Sequence, residues 1–249
     1  MPGRGLSPDW AAPAGAWCST REGGVSTGPY ASLNLGTAVG DDAAAVAENR
    51  RRFAAELEGA RPVWLKQVHG TRVRRLGPDD ADAPLAEADA AWTDQPGIAC
   101  TVQVADCLPV LFATDDGRAV AAAHAGWRGL AAGVLEATLA ALREGAGADA
   151  SAVHAWLGPC IGAAHFEVGP EVAEAFAADA EALRYTPRPD GLPRWHADLP
   201  ALARARLQRA GVRRISGGAW CTVSDPSRFF SYRRDRVTGR LAAAVWRPG

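Results

Sequence analysis

The sequence predicts an α+β fold, on three observations. Apolar segments of strand length alternate with helical patterns, and strand follows strand too often for a doubly wound sheet. Hydrophobic residues make up 48% and charged residues 22% of the 249 positions, enough to bury a full core and too apolar for global disorder. No fixed-period repeat and no long low-complexity linker interrupts the pattern, so residues 1–249 are read as a single domain.

The first element is a helix over 42–57, with Asp41 and Asp42 near its start and Gly59 just past its end. Residues 78–88, rich in Ala, Asp and Pro, read as a surface loop. Successive strands follow at 98–104, 109–113 and 119–123, broken by Asp106 and by Asp115-Asp116-Gly117. A helix over 129–143 is closed by Gly145, and 153–157 is again a strand. Helices at 170–183 and 199–209 flank a turn-forming loop at 188–193, and a short strand at 241–246 ends the pattern.

Composition narrows the function classes. A net charge of -1 offers no nucleic-acid surface, and no apolar run approaches the roughly 20 residues that span a bilayer. The stretch from Met1 to Leu6 lacks the apolar core of a leader peptide. Five scattered cysteines, Cys18, Cys100, Cys107, Cys160 and Cys221, do not resemble a disulfide framework; reduced thiols in a cytoplasmic protein are the expectation. Lys66 is the sole lysine among 27 basic residues, so an arginine here is weaker evidence of phosphate binding than usual.

Three segments put ligating side chains where apolar strands stop. They are Lys66-Gln67-Val68-His69-Gly70, Ala105-Asp106-Cys107-Leu108-Pro109 and His124-Ala125-Gly126-Trp127-Arg128-Gly129. One thiolate and two imidazoles suit zinc, and three protein ligands with an open position are the catalytic pattern. The spacing does not require that the three meet, and a buried thiol with two hydrogen-bonded histidines satisfies it equally. The turn from His124 to Gly129 suits phosphate at a helix start, or simply a tight strand-to-helix connection. Cys160 and His165 are secondary candidates that supply a fourth ligand, line a pocket or merely pack. Asp106 and Asp89 are candidates to orient a ligand histidine, with turn and capping roles as the alternative. His154 and His196 are read as structural or exposed.

Taken in order, these segments resemble the YfiH family, also called laccase-domain or peptidoglycan-editing-factor proteins. The resemblance runs from Arg21-Glu-Gly-Gly-Val-Ser26 and Ser32-Leu-Asn-Leu-Gly36 through Asn49-Arg50, Gln67-Val-His-Gly70, Ala105-Asp-Cys-Leu-Pro109 and His124-Ala-Gly-Trp-Arg-Gly129. It continues through Gly158-Pro-Cys-Ile-Gly162 and Phe166-Glu-Val-Gly169 to Phe229-Phe-Ser-Tyr-Arg-Arg234 and Thr238-Gly-Arg240. It implies a three-layer α/β fold with mixed β-sheets, similar to the catalytic domain of a bacterial deamidating toxin. It also implies zinc on His69, Cys107 and His124, with copper less favoured. The implied activities are phosphorolysis of adenosine, inosine and methylthioadenosine, deamination of adenosine, and a link to peptidoglycan-precursor editing; polyphenol oxidation is also reported for some members.

On that resemblance the partners are purine nucleosides and phosphate, with neither nucleic acid nor membrane, and the chain is expected to be a monomer or weak homo-oligomer. Arg21, Arg128 and the helix start at Gly129 are the phosphate candidates, and Asn34 or Gln67 the candidates for the polar edges of ribose or base. Three rivals stand beside it: a cysteine hydrolase using a Cys107–His124 dyad, a copper-dependent polyphenol oxidase, and a non-catalytic binding protein. Five dispersed histidines are too few for a multicopper cluster.

Overall fold

Two mixed β-sheets lie face to face and carry helices on their outer faces. The computed structural model describes residues 5–249; Met1 to Arg4, the start of the N-terminal stretch read above, lie outside them. Eleven strands build the two sheets: β1 (Gly5–Leu6), β2 (Gly15–Ser19), β3 (Arg61–Val63), β4 (Val73–Arg75), β5 (Ala90–Thr93), β6 (Ile98–Val104), β7 (Leu108–Thr114), β8 (Val120–Ala125), β9 (Val153–Leu157), β10 (Arg214–Gly217) and β11 (Leu241–Trp246). The five-stranded sheet has the order β1-β2-β11-β6-β3 and the six-stranded sheet β10-β9-β7-β8-β5-β4. In each, antiparallel pairs dominate and a parallel pair closes an edge, β3 on β6 in one, β4 on β5 and β10 on β9 in the other.

Strand periodicity explains the layers. In β8, Val120 and Ala122 face the core between the sheets, while Ala121, Ala123 and Ala125 face the helices. Both faces are buried, so the strand reads as an unbroken apolar run. Leu135, Leu139 and Leu142 of helix α3 (Val134–Ala146) and Leu202 and Leu207 of helix α5 (Leu199–Arg209) cover the six-stranded sheet. Phe53 of helix α1 (Ala43–Ala55) packs with Ala99, Ala242 and Ala244 on the outer face of the other sheet.

The helix predicted over 129–143 is two helices, α2 (Trp127–Ala132) and α3, because Gly133 adopts φ 99° between them. Gly145 lies inside α3 rather than closing it: a Cβ there would stand 2.1 Å from Trp92 Cζ2, and Gly147, at φ 66°, is the cap. The segment 170–183 also divides, into α4 (Pro170–Ala175) and a 3-10 turn at Ala177–Ala182, where buried Asp179 accepts from Arg209. The 78–88 stretch is more ordered than a bare loop, with a 3-10 turn at Pro78–Ala81 and a strand Ala86–Glu87 paired to Leu65–Lys66. A further short helix, α6, spans Tyr232–Asp235. No helix of the described residues is long and apolar enough to cross a membrane. The five cysteines are all free thiols.

Candidate metal centre

His69, Cys107 and His124 converge, their ligand atoms all within 4.8 Å of one another. The convergence follows from hairpin register. His124 pairs with Pro109 across β7 and β8, and alternation turns it to the same side as Val120 and Ala122. Cys107 leads into β7 on that side, and His69 reaches in from the loop before β4. Cys107 Sγ and His69 Nε2 are 3.8 Å apart. Zinc bonds of about 2.3 Å to sulfur and 2.0 Å to nitrogen at a tetrahedral angle would place such donors about 3.5 Å apart, so the set fits a small tetrahedral cation. His124 is buried, Cys107 half-buried and His69 exposed, which leaves one side open.

Asp89, fully buried before β5, ties the two histidines together. Its Oδ1 accepts from His124 Nδ1 at 2.9 Å and from the His69 backbone N–H at 2.9 Å. Its Oδ2 accepts from the Val68 and Gly70 backbone N–H groups at 3.1 and 2.7 Å. A carboxylate offers only acceptors, so Nδ1 of His124 carries the proton and Nε2 is left to face Cys107. Burial pushes the Cys107 thiol up, but His124 and His69 outweigh it and hold the thiol below its ordinary range. Burial likewise opposes charge on His124, and Cys107 with Asp89 overcomes it and holds the imidazole above its ordinary value.

Local backbone supports the reading of a site. His69 at φ 61° and Asp106 at φ 91° are both in the left-handed region without being glycine, a conformation that costs about 1–3 kcal/mol and collects at functional positions. At Gly126 a Cβ would stand 2.8 Å from His69 Cδ2 and 3.0 Å from Cys107 Sγ. The glycine in His124-Ala-Gly-Trp is therefore required by the ligands themselves.

The cluster opens onto a cavity of about 470 Å³. Gly36, Thr37, Lys66, Gln67, Gln103 and Arg240 contribute to its wall, and Leu85 and Tyr232, both exposed, stand at the same wall. Gln67 is there, but its amide is engaged at both ends by the Gln103 backbone. Arg21, Asn34 and Arg128 are not among the lining residues. Arg21 donates to the Ala31 and Pro226 carbonyls, buried Asn34 braces Gly36 and Arg240, and exposed Arg128 stacks on Trp127. Asp106 accepts from Thr222 Oγ1 and Arg233 N, each at 2.6 Å, and so shapes the loop rather than holding either histidine. His165 bonds Ser224 Oγ at 2.9 Å, His154 pairs with Asp115, and His196 contacts Thr186. Tyr232 and Arg240 each lie in a motif that carries the family resemblance, and Arg240 also stands immediately before the core strand β11, a signal legible in the sequence.

Cys160 is buried, with its Sγ turned to the Ile161 carbonyl, and burial pushes its thiol far above the ordinary range. A neutral thiol outside the cluster makes a poor ligand. Cys160→Ser is expected to bind metal as the unaltered protein does by elemental analysis, with stability lowered by about 1 kcal/mol. Metal loss would place Cys160 in the coordination set.

A family profile described as multi-copper polyphenol oxidoreductase laccase matches residues 15–248. A purine nucleoside phosphorylase of Pseudomonas aeruginosa is 52% identical over 244 residues, covering 97% of both chains. The purine nucleoside phosphorylase YfiH of Escherichia coli is 49% identical over 248 residues, covering 97% of this chain and 98% of its own. A Neisseria meningitidis crystal structure assigned to the DUF152 family superposes with TM-score 0.91 at 44% identity, covering 99% of this chain and 100% of that one. YlmD from Geobacillus stearothermophilus superposes with TM-score 0.92 at 31% identity, covering 100% of this chain and 98% of its own. With a profile match over nearly the whole chain, about half the residues identical over nearly the full length and the fold in agreement, the chain belongs to the YfiH, or laccase-domain, family.

Proposed function

We propose that the protein is a zinc-dependent purine nucleoside phosphorylase that also deaminates adenosine. The observation that carries this is the His69–Cys107–His124 cluster opening onto a cavity large enough for a nucleoside. The names of the Pseudomonas and Escherichia relatives support the same reading. Zinc rather than copper follows from a thiolate with two imidazoles and an open position. Among the described residues this is the single group of three or more His, Cys, Asp or Glu placed to share an ion, whereas a multicopper oxidase needs several ligand sets.

When bound, zinc supplies Lewis acidity and brings water within reach of deprotonation near neutral pH. The chain's own residues do the rest. Asp89 keeps His124 in one tautomer, and the bracing of Gln67 on Gln103 keeps the cavity wall in register. Leu85 and Tyr232 give the purine an apolar and aromatic face, against which a flat base stacks. Holding nucleoside and phosphate together lowers the entropic part of the barrier to glycosidic cleavage.

The test is metal quantification on protein purified without added metal, followed by adenosine turnover with and without phosphate, with products separated by chromatography. One zinc per chain is expected, with free base and ribose 1-phosphate appearing only when phosphate is present and inosine appearing either way. Metal-free protein that turns over substrate and is inactivated by alkylation at Cys107 would instead make Cys107 and His124 a hydrolase dyad. Zinc-loaded but inert protein would favour a binding role.

A further inference from the structure

Besides the two histidines of the cluster, a lysine and an arginine line the cavity, and only the lysine is already neutralised. The Lys66 ammonium lies 2.8 Å from Glu87 Oε1. Among the described residues Arg240 has no carboxylate partner. Its Nη1 donates to the Thr238 and Gly239 carbonyls at 3.2 and 3.0 Å, and Nε and Nη2 have no partner among the described residues. The nearby carboxylate of Asp106 is taken by Thr222 and Arg233. Burial lowers the Arg240 pKa from its ordinary value, opposed by the charges of Cys107 and Asp106, which places the guanidinium within electrostatic reach of the cluster.

The side chain is also held in place. The Arg240 backbone N–H donates to Asn34 Oδ1 at 2.8 Å, and its carbonyl accepts from Leu35 N at 3.1 Å. Gly36 leaves the passage: a Cβ there would stand 2.7 Å from Arg240 Cγ. A half-buried, clamped guanidinium with its Nε–Nη2 edge free is a fork for a planar or tetrahedral oxyanion.

We propose that Arg240 forms the anion subsite of this cavity and receives the phosphate dianion there. The assignment to phosphorolysis rests on the function proposed above. In that reaction a phosphate oxygen bonds to ribose C1′ as the C1′–N9 bond breaks. N9 keeps the bonding pair, and the proton of the hydrogen phosphate ends on the released purine. Arg240 is placed to orient the nucleophile, a role that Arg21 and Arg128, directed elsewhere, do not have the position to fill.

The test uses zinc-loaded full-length protein with R240Q and R240K, reading KM for phosphate, KM for nucleoside and phosphate binding by calorimetry. R240Q is expected to raise the phosphate KM and Kd about tenfold to a hundredfold, with nucleoside KM changed less than about twofold. R240K, which keeps the charge and loses the fork, is expected to fall between. It also decides the matter should R240Q fail to fold. Unchanged phosphate affinity with zinc in place overturns the proposal, as does a parallel rise of both KM values, the mark of a merely structural role. If wild type releases no base yet binds phosphate, and R240Q does not, the phosphorylase reading fails and the subsite stands. Adenosine 5′-monophosphate presents the same dianion, and weakened binding of it with free phosphate unaffected would overturn the assignment to inorganic phosphate.

Discussion

Cys107→Ala is expected to strip the metal and abolish turnover while leaving the fold in place. The thiolate is the strongest donor of the three, and His69, which would share the ion with His124, stands exposed on a loop. Two imidazoles without the thiolate are a much weaker zinc site, so affinity should fall by more than the about 10–100-fold that loss of an outer partner brings. The fold is insulated from the change. Cys107 sits half-buried at the mouth of the cavity, whereas the stability of β7 comes from Leu108, Val110, Leu111 and Phe112, all fully buried. A Tm shift within about 2–4 °C is expected, the equivalent of about 1 kcal/mol at this size. Zinc content by elemental analysis, thermal denaturation and nucleoside turnover check the three statements separately. Retention of both zinc and activity in Cys107→Ala would sink the proposed centre.

Parts of the architecture were legible because burial leaves a simple trace. Strands 98–104, 153–157 and 241–246 have the bounds read from the sequence, since burial on both faces makes them predominantly apolar. The helix at 199–209 does too, started by Asp198 and ended before Gly211. What escaped is what local pattern does not encode. Val73-Arg74-Arg75 carries two charges and pairs as a strand only because β5 offers it an edge. Gly133 and Gly145 look alike in sequence, yet one turns the chain and the other makes room for Trp92.

The site divides in the same way. Placement of His69, Cys107 and His124 at strand ends could be read locally, but their meeting depends on the register of β7 with β8 and on the Asp89 clasp. The Arg240 fork depends on Asn34, 206 positions away, and on space left by Gly36. In a chain where 26 of 27 basic residues are arginine, residue type could not single it out (27 minus the one lysine). Arg128 stands out in the sequence because Gly126 and Gly129 flank it. Those glycines serve the protein itself: a Cβ at Gly126 would meet His69 and Cys107, and one at Gly129 would stand 2.9 Å from the Gly70 carbonyl.

Asp89→Asn should weaken zinc binding about 10–100-fold, and it should do so without touching a ligand atom. The carboxylate accepts four hydrogen bonds, two on each oxygen, and an amide of the same shape has only one oxygen to offer. If the amide oxygen faces Val68 and Gly70, its NH2 confronts His124 Nδ1 and the His69 N–H. His124 then has to accept at Nδ1 and carry its proton on Nε2, the nitrogen needed for metal. If the amide is turned over, His124 keeps its tautomer, but the Val68 and Gly70 N–H groups lose their acceptor and the loop holding His69 at φ 61° is released. Either arrangement leaves part-buried donors without their acceptor, at about 1 kcal/mol each, so a Tm loss of a few degrees accompanies the loss of affinity. Excess zinc should restore much of the turnover in Asp89→Asn, because all three ligand atoms survive, and should do little for Cys107→Ala. Zinc titration of the two variants side by side distinguishes orientation from ligation. Wild-type zinc affinity in Asp89→Asn would mean that the loop and His124 hold their places without the clasp.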